Sequence, residues 1–328
     1  MKKITVIGAG GWGLALGLLL NEQGNHITFW CYDEKEKNDI LQHRENKRCL
    51  PGIKIPLEIT FTTDMQQALN DADVAIVAVP SKAIRSTAKM MQPFIPAKTI
   101  VVNVSKGIED ETLMRLSQVL EDVLPNDVVV LSGPSHAEEV ARHVPTTVVV
   151  SSNNMESAAK IQDLFMNKYF RVYTNEDLVG IELGGALKNV IALAAGIVEG
   201  IGYGDNTMAA LITRGITEIS RLGIAMGGKP STFAGLTGIG DLIVTCTSGH
   251  SRNRRAGELL GQGFTIEEAM EKVNMVVEGV PTTKGGYALM KKYNVDMPIL
   301  SAIYAALFDK VPVAETIDTL MMRDKKDE

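Results

Sequence analysis

Apolar runs alternate with helical patterns through the first half of the chain, and the second half turns almost wholly helical. Runs at 4–7, 26–30, 74–79, 99–104, 128–132, 146–150 and 170–173 predict strands. Several are continuous Val/Ile stretches, as in parallel strands buried on both faces. Between them the patterning predicts helices over 11–23, 82–91, 111–122, 136–142 and 155–166. This alternation predicts a doubly wound α/β sheet. Residues 43–56 read as a long connecting loop. After Asn175 the β-branched runs thin out. Helices are expected over 178–199, 206–226, 230–233, 238–247, 253–261, 265–270, 279–293, 297–308 and 313–320. The expected organisation is a sheet domain over 1–177 and an all-α domain over 178–328, with a frayed charged tail at 323–328.

The first strand runs straight into Gly8-Ala9-Gly10-Gly11-Trp12-Gly13, and an apolar helix follows. This is a G-x-G-x-x-G dinucleotide fingerprint in its strand–turn–helix context, so the sheet domain is expected to be of Rossmann type. Gly8 serves the tight turn. Gly10 lets the backbone approach a pyrophosphate, and Gly13 lets the helix pack against the strand. The helix N-terminus offers unpaired N–H groups and a partial positive charge to the phosphates.

The chain has 328 residues, 45% of them hydrophobic, enough for two domains of ordinary size. A formal net charge of −6 argues against a nucleic-acid or anionic-membrane surface. Cys31, Cys49 and Cys246 are scattered, without metal-ligand spacing, and fit a reducing compartment. No metal cluster is expected. Met1-Lys2-Lys3 followed by an apolar stretch resembles a signal peptide, but five glycines interrupt it and the fingerprint explains them. The expectation is a retained segment, a cytoplasmic protein and no transmembrane span.

Several polar residues stand out against this background. Lys188 lies in Leu183-Gly-Gly-Ala-Leu-Lys-Asn189, in a helix apolar or small nearly all round. Such a lysine either snorkels to water at a helix edge or places an ammonium in a cleft. In the second case it exchanges protons near neutral pH. Gly184 and Gly185, one turn earlier, suggest a close approach of ligand to backbone. Lys106 follows the strand at 99–104, at the carboxyl end where open α/β sheets bind ligands, or else it is a solvated loop lysine. Ser132-Gly133-Pro134-Ser135 closes another strand and offers hydroxyls and amides; a plain helix cap by Ser135 is the alternative. Ser251-Arg252-Asn253-Arg254-Arg255 is a basic knot in an acidic chain. It is either a phosphate site or a solvated helix start. Asp241 ends a Gly-rich turn, and Glu278 precedes a helix.

Taken together, the fingerprint with Trp12, Val-Ser-Lys106-Gly, Ser-Gly-Pro-Ser135, Leu-Gly-Gly-Ala-Leu-Lys188-Asn, Gly-Asp241-Leu, Ser-Arg252-Asn-Arg and Val-Val-Glu278-Gly resemble the bacterial NAD(P)-dependent glycerol-3-phosphate dehydrogenases, in order and over nearly the whole chain. The resemblance implies an oxidoreductase that interconverts dihydroxyacetone phosphate and sn-glycerol 3-phosphate for phospholipid synthesis. It implies Lys188 as the acid/base, assisted by Lys106. Substrate would be held by Lys106, Gly133, Ser135, Asp241, Ser251, Arg252 and Asn253. The dinucleotide would be contacted by Gly8, Gly10, Gly11, Trp12, Gly13, Lys106, Ala137, Arg252, Val276 and Glu278. A homodimer is a family-level expectation.

Asp33 departs from that pattern, because basic residues or His are common there in NADPH-using members. An acid after the second strand accepts ribose hydroxyls and repels a 2′-phosphate. At about 5 Å and an effective dielectric of roughly 20, one such charge pair costs about 3 kcal/mol. NAD is therefore the expected preference over NADP. Two rival functions remain at this stage: a related dehydrogenase of another small anionic substrate, and a non-catalytic dinucleotide sensor. The sensor would keep the glycines without needing Lys188 or Arg252.

Overall fold

The computed structural model describes residues 1–325; the last three positions of the expected charged tail lie outside the described residues. The chain forms two compact units. One comprises Met1–Lys106 and Met114–Leu178; the other comprises Gly107–Leu113 and the chain from Val179 onward.

The first unit is built on an eight-stranded sheet. Its strands are β1 (Lys3–Ile7), β2 (His26–Trp30), β3 (Thr60–Thr62), β4 (Val74–Val77), β5 (Ile100–Asn103), β6 (Val128–Ser132), β7 (Thr146–Ser152) and β8 (Phe170–Thr174). Their order across the sheet is β3-β2-β1-β4-β5-β6-β7-β8. β1 pairs in parallel with β2 and β4, placing Val6 between Phe29 and Ile76. The apolar runs are buried on both faces. One face packs Leu14, Leu16, Phe29, Val129 and Phe165, and the other packs Ile7, Leu69, Val77, Val101 and Leu120.

The sheet departs from a fully parallel one at β7, which runs antiparallel to β6. The link between them holds only the four-residue helix Ala137–Val140. One helical turn covers about 6 Å, against about 16 Å for a five-residue strand, so it cannot carry the chain back to the far edge. The eleven-residue helix Met155–Phe165 does span the sheet, and β8 runs parallel to β7.

Three short or polar elements escaped the hydrophobic pattern. β3 has only three residues, and the helix Met65–Leu69 only five. The helix Glu34–His43 has a single buried residue, Ile40, and so no apolar stripe. It forms on local terms, with Asp33 capping its first turn and Lys37 paired with Glu34. The helix expected from residue 111 begins only at Leu116. Leu113 has a φ of 60°, which no right-handed helix accommodates, and Gly107–Leu113 belongs to the other unit.

The second unit is helical and packs around Leu178–Ile201. That helix is long and apolar enough to cross a membrane, but its apolar window is entirely buried inside the protein. It serves as a core helix. The helix Arg252–Gly261 packs on it backbone to backbone. A Cβ on Gly196 would lie 1.9 Å from the Arg254 carbonyl oxygen, and one on Gly257 would lie 2.0 Å from that of Leu193. Any side chain at either position would force the helices apart. On another side, Glu218 of Asp205–Ala225 is buried and accepts from the N–H groups of Ile299 and Leu300 at 2.8 and 3.1 Å. It supplies from a distance the cap that Pro298–Phe308 lacks locally.

Candidate functional site

In the sheet unit the singled-out residues fall at the carboxyl ends of neighbouring strands. Gly8 follows β1 with a φ of 108°, and a Cβ there would lie 2.7 Å from the Ala78 carbonyl oxygen. A Cβ on Gly13 would lie 2.4 Å from the Gly8 carbonyl oxygen, so only glycine lets the helix Gly11–Glu22 start this close to β1. At Gly10 the opposite holds, since nothing lies within 4 Å of its missing Cβ. The helix that follows has no side-chain cap and no acid in its first turn. Its first N–H groups have no partner within the helix. An open cradle over an uncapped helix N-terminus suits the pyrophosphate of a dinucleotide. Trp12 is half-buried, and the Ala137 methyl lies 3.7 Å from where a Gly11 Cβ would be.

The neighbouring helix N-terminus is already occupied. Asp33 Oδ1 accepts from the N–H groups of Lys35 at 2.6 Å and Glu36 at 3.4 Å. Glu34 and Glu36 add further negative charge in that first turn. Beyond the end of β5, two strands along from β1, Lys106 Nζ donates to the Gly133 carbonyl at 3.0 Å, and Ser135 Oγ donates to the same oxygen at 3.0 Å. Ser135 does not cap the next helix; His136 holds that place. Gly133 has a φ of 140°, and its missing Cβ would lie 3.1 Å from Val148. Its carbonyl is thereby aimed where both donors meet.

In the helical unit Lys188 is 6% exposed and Asp241 is 1% exposed, so neither is a snorkelling surface group. The Lys188 ammonium donates to Asp241 Oδ1 and, at 2.7 Å, to Thr245 Oγ1. The Thr245 hydroxyl donates in turn to the Asp241 backbone carbonyl at 2.6 Å. Paired charge and hydrogen bonds together make this burial tolerable. Asp241 reaches Lys188 because Gly184 admits the turn before it: a Cβ there would lie 2.5 Å from the Thr237 carbonyl oxygen. The room at Gly184 is thus filled by protein backbone, and the expected approach of a ligand at that glycine is corrected. Cys246, beside the pair, has its thiol pushed up to about 12 by burial, which leaves it protonated and inert.

The basic knot is divided by the fold. Arg254 pairs with Glu199, and Ser251 caps the helix by accepting from the Arg254 N–H at 3.2 Å. Arg252 is exposed and makes no ion pair among the described residues. Asn253 is buried: its Nδ2 donates to Asn189 Oδ1 at 3.0 Å, and its Oδ1 accepts from the Gly279 N–H at 2.8 Å. This ties the residue after Lys188 to the start of the helix that follows Glu278. Val276 is exposed and Glu278 half-buried. Thr245 and Asn189 were not among the expected site residues. Thr245 lies four residues after Asp241, on the same helix face, and that spacing was a usable signal.

All three thiols are buried and no disulfide links them. Among the described residues no group of three or more His, Cys, Asp or Glu is gathered as a metal site.

A glycine-fingerprint sheet unit followed by a helical unit with a buried lysine–carboxylate pair has the build of a two-domain, dinucleotide-dependent dehydrogenase. Residues 3–158 match the N-terminal family profile of NAD-dependent glycerol-3-phosphate dehydrogenase, and residues 177–318 match the C-terminal one. The chain is 56% identical over 332 residues to glycerol-3-phosphate dehydrogenase (NAD(P)+) of Bacillus subtilis, covering 100% of this chain and 96% of that one. It is 57% identical to the enzyme of the same name from Bacillus pumilus, with the same coverage. The crystal structure of glycerol-3-phosphate dehydrogenase from Coxiella burnetii superposes with a TM-score of 0.95 at 36% identity, over 98% of this chain and 99% of that one. The chain belongs to the NAD-dependent glycerol-3-phosphate dehydrogenase family.

Proposed function

We propose that the protein reduces dihydroxyacetone phosphate to sn-glycerol 3-phosphate with NADH or NADPH, and runs the reverse reaction with NAD(P)+. The observation that carries this reading is the buried Lys188–Asp241–Thr245 cluster in a member of this family. A dinucleotide sensor would not require such a cluster. The cytoplasm and the supply of glycerol 3-phosphate for phospholipid synthesis follow as the setting.

Reduced nicotinamide, when bound, supplies the hydride. The residues of this chain manage the charge that builds on the C2 oxygen. Lys188 stabilises that oxygen and delivers the proton, while Asp241 and Thr245 hold the ammonium in place. Lys106 and Ser135, gathered on the Gly133 carbonyl, offer a cation and a hydroxyl to the substrate. Arg252 has its guanidinium available for the substrate phosphate, and Asn253 has one amide proton left after its two bonds. Ser251 keeps a donatable hydroxyl while capping. Gly8, Gly10, Gly11, Trp12 and Gly13 bind the dinucleotide, with Ala137, Val276 and Glu278 as further contacts.

The reading also favours NADH over NADPH, with support from the geometry at Asp33. Its carboxylate fills the helix N-terminus that a 2′-phosphate would seek, and its second oxygen remains for ribose hydroxyls. Lys37, one of two nearby cations, is engaged with Glu34.

The deciding assay follows NADH and NADPH oxidation with dihydroxyacetone phosphate, using unphosphorylated dihydroxyacetone as the control. Turnover of about 1 per second or more, dependent on the phosphate, is expected. Cofactor binding without turnover would overturn the proposal. In the same assay kcat/KM is expected to favour NADH by about 10-fold or more, and Asp33→Asn to narrow that ratio. A wild-type ratio favouring NADPH would overturn the Asp33 reading alone.

A further inference from the structure

Asn103 is a wholly buried amide that the proposed chemistry does not use. It ends β5, next to Ile100, Val101, Val102 and Val104, and stands opposite Val77 on one side and Val130 on the other. Asparagine is depleted in strands, and a buried amide is destabilising unless its hydrogen bonds are met. Valine would continue the apolar run with neither difficulty.

The amide is spent on one neighbour. Its Oδ1 accepts from the Ser105 N–H at 3.2 Å, and its Nδ2 donates to the Ser105 carbonyl at 3.1 Å. Ser105 Oγ in turn donates to the Val79 carbonyl, just beyond β4, at 2.6 Å, and more weakly to the Val77 carbonyl at 3.4 Å. Both backbone polar groups and the hydroxyl of the residue before Lys106 are thus fixed. From that footing Lys106 reaches past the end of β6 to the Gly133 carbonyl at 3.0 Å. Immediately after Lys106 the chain leaves the sheet unit. The last backbone tie to a strand is the Val104 N–H on the Val77 carbonyl at 3.2 Å, so the Asn103 contacts fix the one residue between that tie and Lys106.

We infer that Asn103 is a positioning residue, which fixes Ser105 and so aims the Lys106 ammonium at the substrate. The inference rests on the proposed role of Lys106. A lysine side chain is long and flexible, and fixing its root lowers the cost of ordering its tip. Misplacement by about 1 Å can cost on the order of 100-fold in rate.

The test is a double-mutant cycle on kcat/KM for dihydroxyacetone phosphate, with Tm measured on every variant. Lys106→Met is expected to lose 100-fold or more, and Asn103→Val about 10-fold or more with Tm within a few degrees of wild type. In the Lys106→Met background the Asn103→Val loss should vanish, because there is no ammonium left to aim. Ser105→Ala, which removes the hydroxyl ties to Val77 and Val79 and leaves the Asn103 bonds in place, is expected to lose several-fold and to show the same dependence on Lys106. It carries the test if Asn103→Val fails to fold. If Lys106→Met is impaired but the second loss multiplies in the double variant, or is absent, the inference is overturned and the role of Lys106 stands. If Lys106→Met is near wild type, the proposed role of Lys106 has failed and the inference falls with it.

Discussion

The two units build their parts of the chemistry in opposite ways. On the proposed reading the sheet unit receives the dinucleotide mainly on backbone at strand ends, with glycines at 8, 10 and 13 and an uncapped helix start, and adds the side chains of Lys106 and Ser135 on the Gly133 carbonyl. The helical unit works with side chains gathered from far apart in the chain. Lys188 and Asp241 are 53 residues apart, and Asn189 and Asn253 are 64 apart. A backbone cradle suits a ligand whose recognised part, a pyrophosphate, needs only N–H groups and a dipole. A proton-transfer centre needs a particular ammonium held in a dry setting, which only tertiary packing supplies.

If that contrast holds, removing a side chain should hurt most in the helical unit. Lys188→Met is expected to lower kcat by about 1,000-fold or more, with NADH affinity within about twofold of wild type. Stopped-flow rates and cofactor fluorescence titration check this; comparable losses in both would mean that Lys188 holds the fold and not the proton. Stability should also fall by about 3–5 kcal/mol, since Asp241 is left buried without its cation.

Arg252→Ala is next in size. We expect kcat/KM for dihydroxyacetone phosphate to fall about 100-fold, with the weak activity on unphosphorylated dihydroxyacetone unchanged. Equal losses on both substrates would remove Arg252 from the phosphate. In the sheet unit Gly10→Ala sharpens the comparison. Its Cβ enters open space, so Tm should stay close to wild type while the KM for NADH rises about 10-fold. An unchanged KM would show that the cradle is not where the pyrophosphate lies.

A last effect leaves activity aside and concerns stability alone. Burial pushes the Glu218 carboxyl up to about 7 against the pull of the Ile299 and Leu300 N–H groups, with Asp296 raising it further and Arg221 opposing. Its folded value lies above the unfolded one, so its stabilising contribution is fully present below about pH 4.5 and is lost as pH rises towards 7. The span is worth on the order of 3 kcal/mol. Glu218→Gln, neutral throughout, should flatten the fall of Tm between pH 5 and 7.5. An unaltered slope would assign it to other groups.

The elements legible in the sequence were those with strong periodicity. β2 and β6 and the helix Gly279–Tyr293 fall where the hydrophobic pattern puts them, because burial of a continuous face leaves a continuous record in the chain. The glycine turn was equally legible, since its requirements are local. The helix Glu34–His43 was not, because local capping and ion pairing hold it with hardly any burial.

What the sequence determined alone was therefore whatever physics acts within a few residues: the strands, the fingerprint, and the suspicion attached to a lone lysine in an apolar helix. Tertiary structure decided the rest. It turned β7 antiparallel, because the linking helix is one turn long. It filled the space at Gly184 with the Thr237 backbone and so brought Asp241 to Lys188. It assigned Arg254 to Glu199 and left Arg252 exposed. In each case the outcome hangs on distances between groups far apart in the chain. Those distances are set by packing, and no local pattern of residues encodes them.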